Sequence, residues 1–205
     1  MNTRAKKWTL RIIFFLIFAY FVNYTSVYRI TENFYEVDPG KFYRSAQLAP
    51  DELTAIIDKY KIKTIISLRG APTSFKWMGR EVEIAKEKNV NFIDVGYTVH
   101  YFPSTEQLRR FANALMTAER PILVHCKTGS DRTGEATAVY AIEYMNEKNE
   151  EAINNHLNFK YWHVKMFHPA KAELVRQWKG LDWALKTYDL CSMYPQWAQP
   201  GDCPP

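Results

Sequence analysis

A cysteine and an arginine with five residues between them, Cys126 and Arg132, are the side chains whose types and spacing most clearly suggest chemistry. The apolar residues 122–124 before the cysteine predict a buried strand, and the spacing of apolar residues from Thr133 onward predicts a helix. Where a loop enters a helix, backbone N–H groups lack partners and the helix dipole is positive, so the loop suits a phosphate group. The sequence therefore predicts an anion-binding loop with a cysteine at its base.

The same loop carries the groups that covalent phosphoryl transfer requires. The planar guanidinium of Arg132 can bond two phosphate oxygens at once, and its charge favours the thiolate form of Cys126. The hydroxyl of Thr133 can bond the sulfur and make it a better leaving group in a second step. Gly129 is expected to allow the turn, and Gly134 to let the helix approach its neighbours closely. These residues predict transfer in two steps through a phosphocysteine.

Residues 125–134 read His-Cys-Lys-Thr-Gly-Ser-Asp-Arg-Thr-Gly and resemble the signature of the cysteine-dependent protein tyrosine and dual-specificity phosphatases, in particular their small bacterial members. Residues 42–47 and 64–69 resemble the opening and second strands of that superfamily, and the resemblance spans residues 34–187. It implies hydrolysis of phosphomonoesters of the phosphotyrosine type, without a metal or another cofactor. The implied catalytic residues are Cys126, Arg132, Asp131, Thr133 and His125, and the implied substrate-binding residues are Lys127, Thr128, Gly129, Ser130 and Arg132.

The substrate class stays open between a phosphoprotein, a phospholipid and an inositol phosphate. Lys127, directly after the nucleophile, resembles branches that accept inositol phosphates or phosphoinositides, although it can equally be a solvated loop lysine. Glu135 lies in the first helical turn, where it stabilises the helix and weakens the positive field at the site. Two other classes use the same loop: a phosphoryl-binding module without turnover, and a sulfur-transfer or arsenate-reducing enzyme.

The proton donor for the leaving group is not obvious from the motif. Residues 96–104 occupy the place of the mobile acid loop of the superfamily, but Val99 stands where many members have an aspartate. Asp131 resembles a loop aspartate to which other branches assign this role, and it can alternatively cap the helix. His100 is a second candidate, and Asp94 is a weak substitute because it is predicted to lie within a strand.

The strands and helices around this loop must position it. Strands alternating with helices predict an α/β fold with a mostly parallel central sheet flanked by helices, and ligands of such sheets bind beyond the carboxyl ends of the strands. Arg44 is expected to make a structural ion pair, with a substrate-facing pair as the alternative. The aromatic-rich residues 154–168 are expected to pack under the next helix, with a substrate- or membrane-facing lid and a metal site as the alternatives. The predicted strands are 34–37, 41–43, 64–68, 91–95 and 122–124, and the predicted helices are 50–59, 77–88, 133–145 and 170–187.

The N-terminus carries most of the net charge of +5. Residues 1–11 contribute +4, which leaves only +1 for the rest of the chain and no reason to expect a nucleic-acid partner. An apolar stretch follows at 12–22, so residues 1–28 are predicted to be a basic cytoplasmic tail and an uncleaved signal-anchor helix. This would place a phosphatase domain at 29–190 outside the cytoplasm, in the periplasm of a Gram-negative bacterium. A cleaved signal peptide and a buried core helix are the alternatives.

The Pro-rich C-terminal tail, residues 191–205, contains two more cysteines, Cys191 and Cys203. Cysteines that bracket a loop with turn residues suggest a disulfide, which persists only in an oxidising compartment. Closing a loop of this size would add about 3 kcal/mol to the free energy of unfolding in the chain-entropy model. Two free thiols are the alternative.

Overall fold

The computed structural model describes residues 3–25 and 31–204, with the side chains of the first helix described from position 6 to 22. Five strands form one sheet in the order β1-β2-β5-β3-β4, in which β1 runs antiparallel to β2 and the other pairs are parallel. The predicted α/β fold with a mostly parallel sheet is therefore confirmed. The strands are β1 (Tyr35–Asp38), β2 (Phe42–Ser45), β3 (Thr64–Ser67), β4 (Asn91–Asp94) and β5 (Ile122–His125).

Helices cover both faces of the sheet and continue beyond its last strand. The basic residues at positions 4, 6, 7 and 11 lie within the first helix, and the segment after the eighth helix carries the two tail cysteines. Within the described residues the helices are α1 (Thr3–Thr25), α2 (Pro50–Tyr60), α3 (Lys76–Glu87), α4 (Thr105–Thr117), α5 (Asp131–Met145), α6 (Asn149–His156), α7 (Pro169–Gln177), α8 (Leu181–Lys186) and α9 (Leu190–Met193).

Two apolar cores lie on opposite faces of the sheet, and the central strand β5 contributes to both. Ile122, Val124 and Cys126 belong to the core that contains residues of α4 and α5, whereas Leu123 belongs to the core that contains residues of α2 and α3. Successive side chains of a strand point to opposite faces, so the cysteine follows the alternation of the strand that precedes it. The nucleophile is thus placed at the carboxyl end of the central strand, on the face that α5 covers.

The observed helices differ from the predicted ones. Helices α4, α6 and α9 were not predicted. For α4 the sequence does contain a signal, because Ser104 and Gln107 cap each other's backbone N–H groups at 3.2 and 2.9 Å. The single helix predicted over 170–187 is wrong. Gly180 has a φ of +105°, which a right-handed helix excludes, and the chain divides there into α7 and α8. The break places the Trp178 indole N–H 2.6 Å from Glu143 Oε1.

The predicted membrane-spanning anchor is not supported. Within residues 3–25 and 31–204, no helix has both the length and the apolar character that a membrane span needs. The alternative of a buried core helix is wrong, because side chains of the apolar stretch such as Phe14 and Phe15 are exposed. The predicted domain boundary at 28/29 lies outside the described residues.

The C-terminal tail packs on the domain. Cys191 and Cys203 form a disulfide. Between them, Trp197 and Ala198 pack against the apolar core that contains Cys126, and Tyr194 is buried within it. The tail that composition alone describes as Pro-rich is therefore an ordered part of the structure near the catalytic face of the sheet.

Candidate active site

The loop between β5 and α5 is held by its carbonyl groups. Because the C=O and N–H of one peptide point in opposite directions, anchoring the carbonyls from behind directs the N–H groups to the other side. There the N–H groups of Thr128 and Thr133 interact with the sulfur of Cys126. Three successive carbonyls accept hydrogen bonds: that of Lys127 from the Gln47 N–H at 3.3 Å, that of Thr128 from Asn33 Nδ2 at 3.0 Å, and that of Gly129 from Arg44 Nη2 at 2.7 Å.

Both glycines of the motif are required by close contacts. Gly129 has a φ of +69°, and a Cβ there would lie 2.8 Å from the carbonyl oxygen of Ser45. A Cβ at Gly134 would lie 2.7 Å from Leu157 Cδ2 and 2.8 Å from the carbonyl oxygen of His156. The roles predicted for the two glycines, a turn and a close helix approach, are those that the structure shows.

The environment of Cys126 favours a thiolate. The residue is 1% exposed, and this burial raises the pKa of its thiol. The charge of Arg132, the hydroxyl of Thr133 and the two backbone N–H groups outweigh that effect, so that the pKa lies below its usual value. A buried thiolate that a guanidinium, a hydroxyl and two backbone N–H groups stabilise is an activated nucleophile.

The guanidinium of Arg132 is fixed along one edge. Its Nη1 donates to the carbonyl oxygens of Leu68 at 2.9 Å, Arg69 at 3.2 Å and Tyr97 at 3.1 Å. Its Nε is buried and has no hydrogen-bond partner within the described part of the chain. A guanidinium oriented in this way has a donor available for an oxyanion bound over Cys126.

Arg44 supports the loop, but without the ion pair that the sequence predicts. The side chain is fully buried, and its guanidinium donates to the carbonyls of Gly129 at 2.7 Å and His156 at 3.1 Å. Its central carbon lies 3.8 Å from the centre of the Tyr161 ring, and burial lowers the pKa of Arg44 to about 10. Carbonyl and aromatic contacts replace the expected carboxylate.

Asp131 lies among histidines. Its Oδ1 is 2.8 Å from His163 Nδ1, its Oδ2 is 3.7 Å from His168 Nε2, and the His168 ring packs against His100 with 4.9 Å between ring centres. The N-cap position of α5 is Ser130, so the carboxylate of Asp131 is engaged by side chains and not by a cap. The histidines among residues 154–168 were expected to pack under the next helix, and their pairing with Asp131 was not predicted. Within the described residues, no group of His, Cys, Asp and Glu could hold a metal ion.

A family model described as DSP-PTPase phosphatase fused to NAD+ kinase matches residues 18–171. The chain belongs to this family. It is accordingly a cysteine-dependent phosphatase of the tyrosine and dual-specificity kind, a phosphoric monoester hydrolase, as the signature predicts. Comparison with curated protein sequences finds no match.

Three solved structures show the same fold at low sequence identity. The structure of P. aeruginosa TpbA in complex with pTyr is 22% identical, with a TM-score of 0.59 over 77% of this chain and 93% of that one. The core catalytic domain of the PP-IP phosphatase Siw14 from S. cerevisiae, in complex with citrate, is 20% identical, with a TM-score of 0.59 over 81% and 94%. A putative phosphatase from Shewanella putrefaciens is 15% identical, with a TM-score of 0.56 over 71% and 88%.

In this phosphatase, His125 is held by a glutamate that sequence analysis missed. His125 Nε2 lies 2.9 Å from Glu81 Oε1, and both side chains are almost completely buried. The second oxygen of Glu81 accepts a hydrogen bond from Gln47 Nε2 at 3.0 Å, and His125 Nδ1 is 3.3 Å from the carbonyl oxygen of Cys126. The one available signal was a glutamate on the apolar face of α3, between Met78 and Ile84.

The pair favours the charged forms of both side chains. Burial lowers the pKa of His125, but the carboxylate of Glu81 raises it by more, so the pKa lies above the ordinary value of 6.5. The anion of Cys126 contributes to the same increase. Because the interaction is mutual, the imidazolium in turn stabilises the thiolate.

Replacing Glu81 by glutamine is expected to shift the acid limb of the pH profile of kcat/KM to higher pH. Without the carboxylate, His125 loses its proton at lower pH, the thiolate loses a nearby positive charge, and the pKa of Cys126 rises. In the wild type, the pair also contributes to the free energy of unfolding below pH 6.5, and this contribution disappears as pH rises through the raised pKa of folded His125. Measuring kcat/KM for the hydrolysis of p-nitrophenyl phosphate across pH 4–9 gives the position of the acid limb.

The matched control is Glu83→Gln on the same helix, because Glu83 is exposed and pairs with Arg80 at 3.2 Å. Its pH profile should match the wild type. If Glu81→Gln also leaves the limb in place, while changing only stability, then Glu81 has a structural role alone.

The segment in the place of the mobile acid loop is anchored in this phosphatase. Lys171 Nζ donates to the carbonyl of Tyr101 at 2.9 Å, the Phe102 N–H donates to Trp197 at 3.0 Å, and the Tyr188 hydroxyl donates to Pro103 at 2.7 Å. Three successive backbone positions are thus bonded to residues from the C-terminal part of the chain. The carbonyl of Tyr97 in the same segment accepts a hydrogen bond from Arg132 Nη1 at 3.1 Å, so the segment lies beside the loop of Cys126.

Glu135 does not weaken the field at the site in the way that the sequence suggests. Its Oε2 lies 3.1 Å from Lys171 Nζ, and both side chains are fully buried. Burial raises the pKa of Glu135, although the lysine opposes this effect. The positive charge of Lys171 compensates the carboxylate, so the pair as a whole is close to neutral.

A cavity of about 550 Å³ opens beside Arg132. Arg69 lines it together with Arg132, and Gln199 and Asp202 of the tail form part of its wall. Lys127 is exposed and does not line this cavity. Of the remaining residues predicted to bind substrate, Gly129 and Ser130 are buried and Thr128 is half-buried in the loop itself.

Proposed function

We propose that the chain hydrolyses phosphomonoesters of the phosphotyrosine type through a phosphocysteine intermediate. The observation that supports this most directly is the buried Cys126, with its lowered pKa, beside a guanidinium that three carbonyls hold in place. In the first step Cys126 Sγ forms a bond to phosphorus and the ester P–O bond breaks. The loop N–H groups and Arg132 stabilise the equatorial oxygens of the transferring group.

The second step returns the enzyme to its starting state. A water molecule attacks phosphorus, the P–S bond breaks, and the thiolate of Cys126 is released with the help of Thr133. Asp131 gives a proton to the leaving oxygen in the first step and takes one from the water in the second. Its position directly before Arg132 supports this assignment.

The charges around the cavity favour a substrate with a single phosphate. Its charged lining residues are Arg69, Arg132 and Asp202. A phosphate dianion is matched by the two guanidinium groups, whereas no further cation in the lining is available for a second phosphate. The second candidate is an inositol phosphate or a phosphoinositide, which Lys127 favours because its exposed ammonium group directly follows the nucleophile.

Phosphate release by the full chain from three substrate classes tests the proposal: a phosphotyrosine peptide, vesicles containing a phosphoinositide, and a soluble inositol phosphate. The highest kcat/KM is expected for the peptide. Preference for an inositol phosphate would establish the second candidate. Binding of all three without phosphate release would identify a phosphoryl-binding module and overturn the proposal.

Replacing Asp131 by asparagine is expected to slow poor leaving groups selectively. A phosphoserine peptide must lose an alkoxide, so its kcat should fall by roughly 100- to 10,000-fold without a general acid. Because 2,4-dinitrophenolate leaves without a proton, hydrolysis of its phosphate ester should change little. The ratio of the two rates measures the effect.

Asp58→Asn is the control for this variant, since Asp58 is exposed and pairs with Lys88 at 2.6 Å. An equal loss on both leaving groups would contradict the acid role. It would indicate instead that Asp131 orients the loop through its contact with His163.

We further propose that the catalytic domain works outside the cytoplasm, which means the periplasm in a Gram-negative bacterium. The disulfide between Cys191 and Cys203 supports this location, because such bonds persist in oxidising compartments. Alkylation of thiols in intact cells, followed by reduction and a second label, reports the state of the pair. Two thiols labelled before reduction would contradict the location.

A further inference from the structure

The C-terminal tail supplies a wall of the cavity beside Arg132. Gln199 and Asp202 line the same 550 Å³ space as Arg69 and Arg132. The family match ends at residue 171, so this wall lies outside the part of the chain that the family model describes.

The tail is held against the catalytic face by aromatic and backbone contacts. The rings of Trp197 and Phe102 are stacked, with 5.3 Å between their centres and 2° between their planes, and the Trp197 carbonyl accepts the Phe102 N–H at 3.0 Å. Tyr194 packs on the same phenylalanine at 5.4 Å. Directly before the tail, the N–H of Leu190 donates to Thr105 Oγ1 at 3.0 Å.

The end of the tail is closed around Asp202. The disulfide joins the adjacent Cys203 to Cys191 on α9, and the Asp202 N–H donates to the Gln199 carbonyl at 2.9 Å in a turn. These constraints keep both lining residues beside the cavity. A carboxylate is thereby held in a wall whose other charged groups are guanidinium groups.

That carboxylate acts differently on different anions. One phosphate over Cys126 is stabilised by Arg132 and the loop N–H groups, which offset repulsion from a more distant carboxylate. A further phosphate of the same ligand that enters this cavity lies beside Asp202 and gains no loop N–H groups in return. Repulsion between like charges therefore grows with the number of phosphates.

We propose that Asp202 is a specificity-determining residue that disfavours ligands with several phosphates, and that the Cys191–Cys203 disulfide holds it in the cavity wall. The inference rests on the proposed function, because it concerns which phosphate esters reach Cys126. The role of the tail is then to discriminate between ligands with one phosphate and ligands with several.

The test measures binding in the Cys126→Ser background, where turnover does not interfere. Calorimetry gives the Kd of phosphotyrosine and of inositol hexakisphosphate with and without Asp202→Asn. The substitution should tighten inositol hexakisphosphate binding by about 5- to 10-fold and phosphotyrosine binding by less than about 2-fold at low salt. At 1 M salt the Debye length is about 3 Å, and the difference should disappear.

Asp182→Asn is the matched control, because it removes the same charge from an exposed site on α8 that pairs with Lys186 at 3.1 Å. It should leave the ratio of the two affinities unchanged. A ratio unchanged by Asp202→Asn would overturn the proposal. A loss of phosphotyrosine turnover in Asp202→Asn with Cys126 intact would also overturn it, since Asp202 would then act in the chemistry.

Removing the disulfide tests the second part. The variant with both Cys191→Ser and Cys203→Ser should shift the affinity ratio in the same direction as Asp202→Asn, and unchanged discrimination in the folded variant would overturn the role of the disulfide. If this variant does not fold, Asp202→Asn still decides the role of the carboxylate. Absence of phosphate release by the wild type would refute the proposed function separately, because the affinity ratio does not depend on turnover.

Discussion

Phosphate release from p-nitrophenyl phosphate is expected to fall by at least roughly 1,000-fold when Cys126 is replaced by serine. A serine hydroxyl remains protonated in the environment that lowers the pKa of the thiol, so the loop would hold a phosphate without an ionised nucleophile. The size of the loss follows from the mechanism, since a phosphocysteine cannot form. Steady-state release of p-nitrophenol from the two proteins measures it.

Oxyanion binding separates loss of the nucleophile from loss of the fold. Arg132 and the loop N–H groups remain in Cys126→Ser, so the variant should still bind tungstate over the serine. Activity within tenfold of the wild type would rule out the covalent mechanism. Loss of tungstate binding together with activity would show that the variant disturbs the loop, and Cys126→Ala would then be the variant to compare.

Replacing Arg132 by lysine should lower kcat/KM by roughly 100- to 1,000-fold, the range found when one oxyanion donor is lost. One edge of the guanidinium donates to the carbonyls of Leu68, Arg69 and Tyr97, and another donor is available to the substrate. An ammonium group lacks the planar fork that does both at once. It should weaken phosphate binding and turnover together.

The thiolate should respond as well. Arg132 is the largest of the influences that lower the pKa of Cys126, after burial, which acts in the opposite direction. Displacing its charge should move the acid limb of the pH profile to higher pH. Arg109→Lys on the exposed side of α4 is the control, and wild-type values of KM and kcat for Arg132→Lys would contradict the assigned geometry.

The chemistry of the loop could be predicted from the sequence because its parts are neighbours in the chain. Cys126, Arg132 and the two glycines act within one strand–loop–helix unit, whose local rules set their relative positions. The fold class could be predicted for the same reason, because the alternation of strands and helices is also a local pattern in the sequence. The location of the catalytic domain outside the cytoplasm and the catalytic roles of the individual residues remain predictions, which the experiments described above would test.

The side chains that surround the loop come from residues far away in the sequence. The periodicity of apolar residues predicts helices and strands, but it does not predict which distant side chains contact the loop. The Glu81–His125 pair, the histidines around Asp131 and the tail residues beside Arg132 meet only after the sheet has formed. For the N-terminal segment, the local apolar pattern predicted a membrane span, but no helix within the described residues is long and apolar enough to provide one. Local patterns determined which groups perform chemistry, whereas packing of distant segments decided their protonation, their orientation and the walls that surround the substrate.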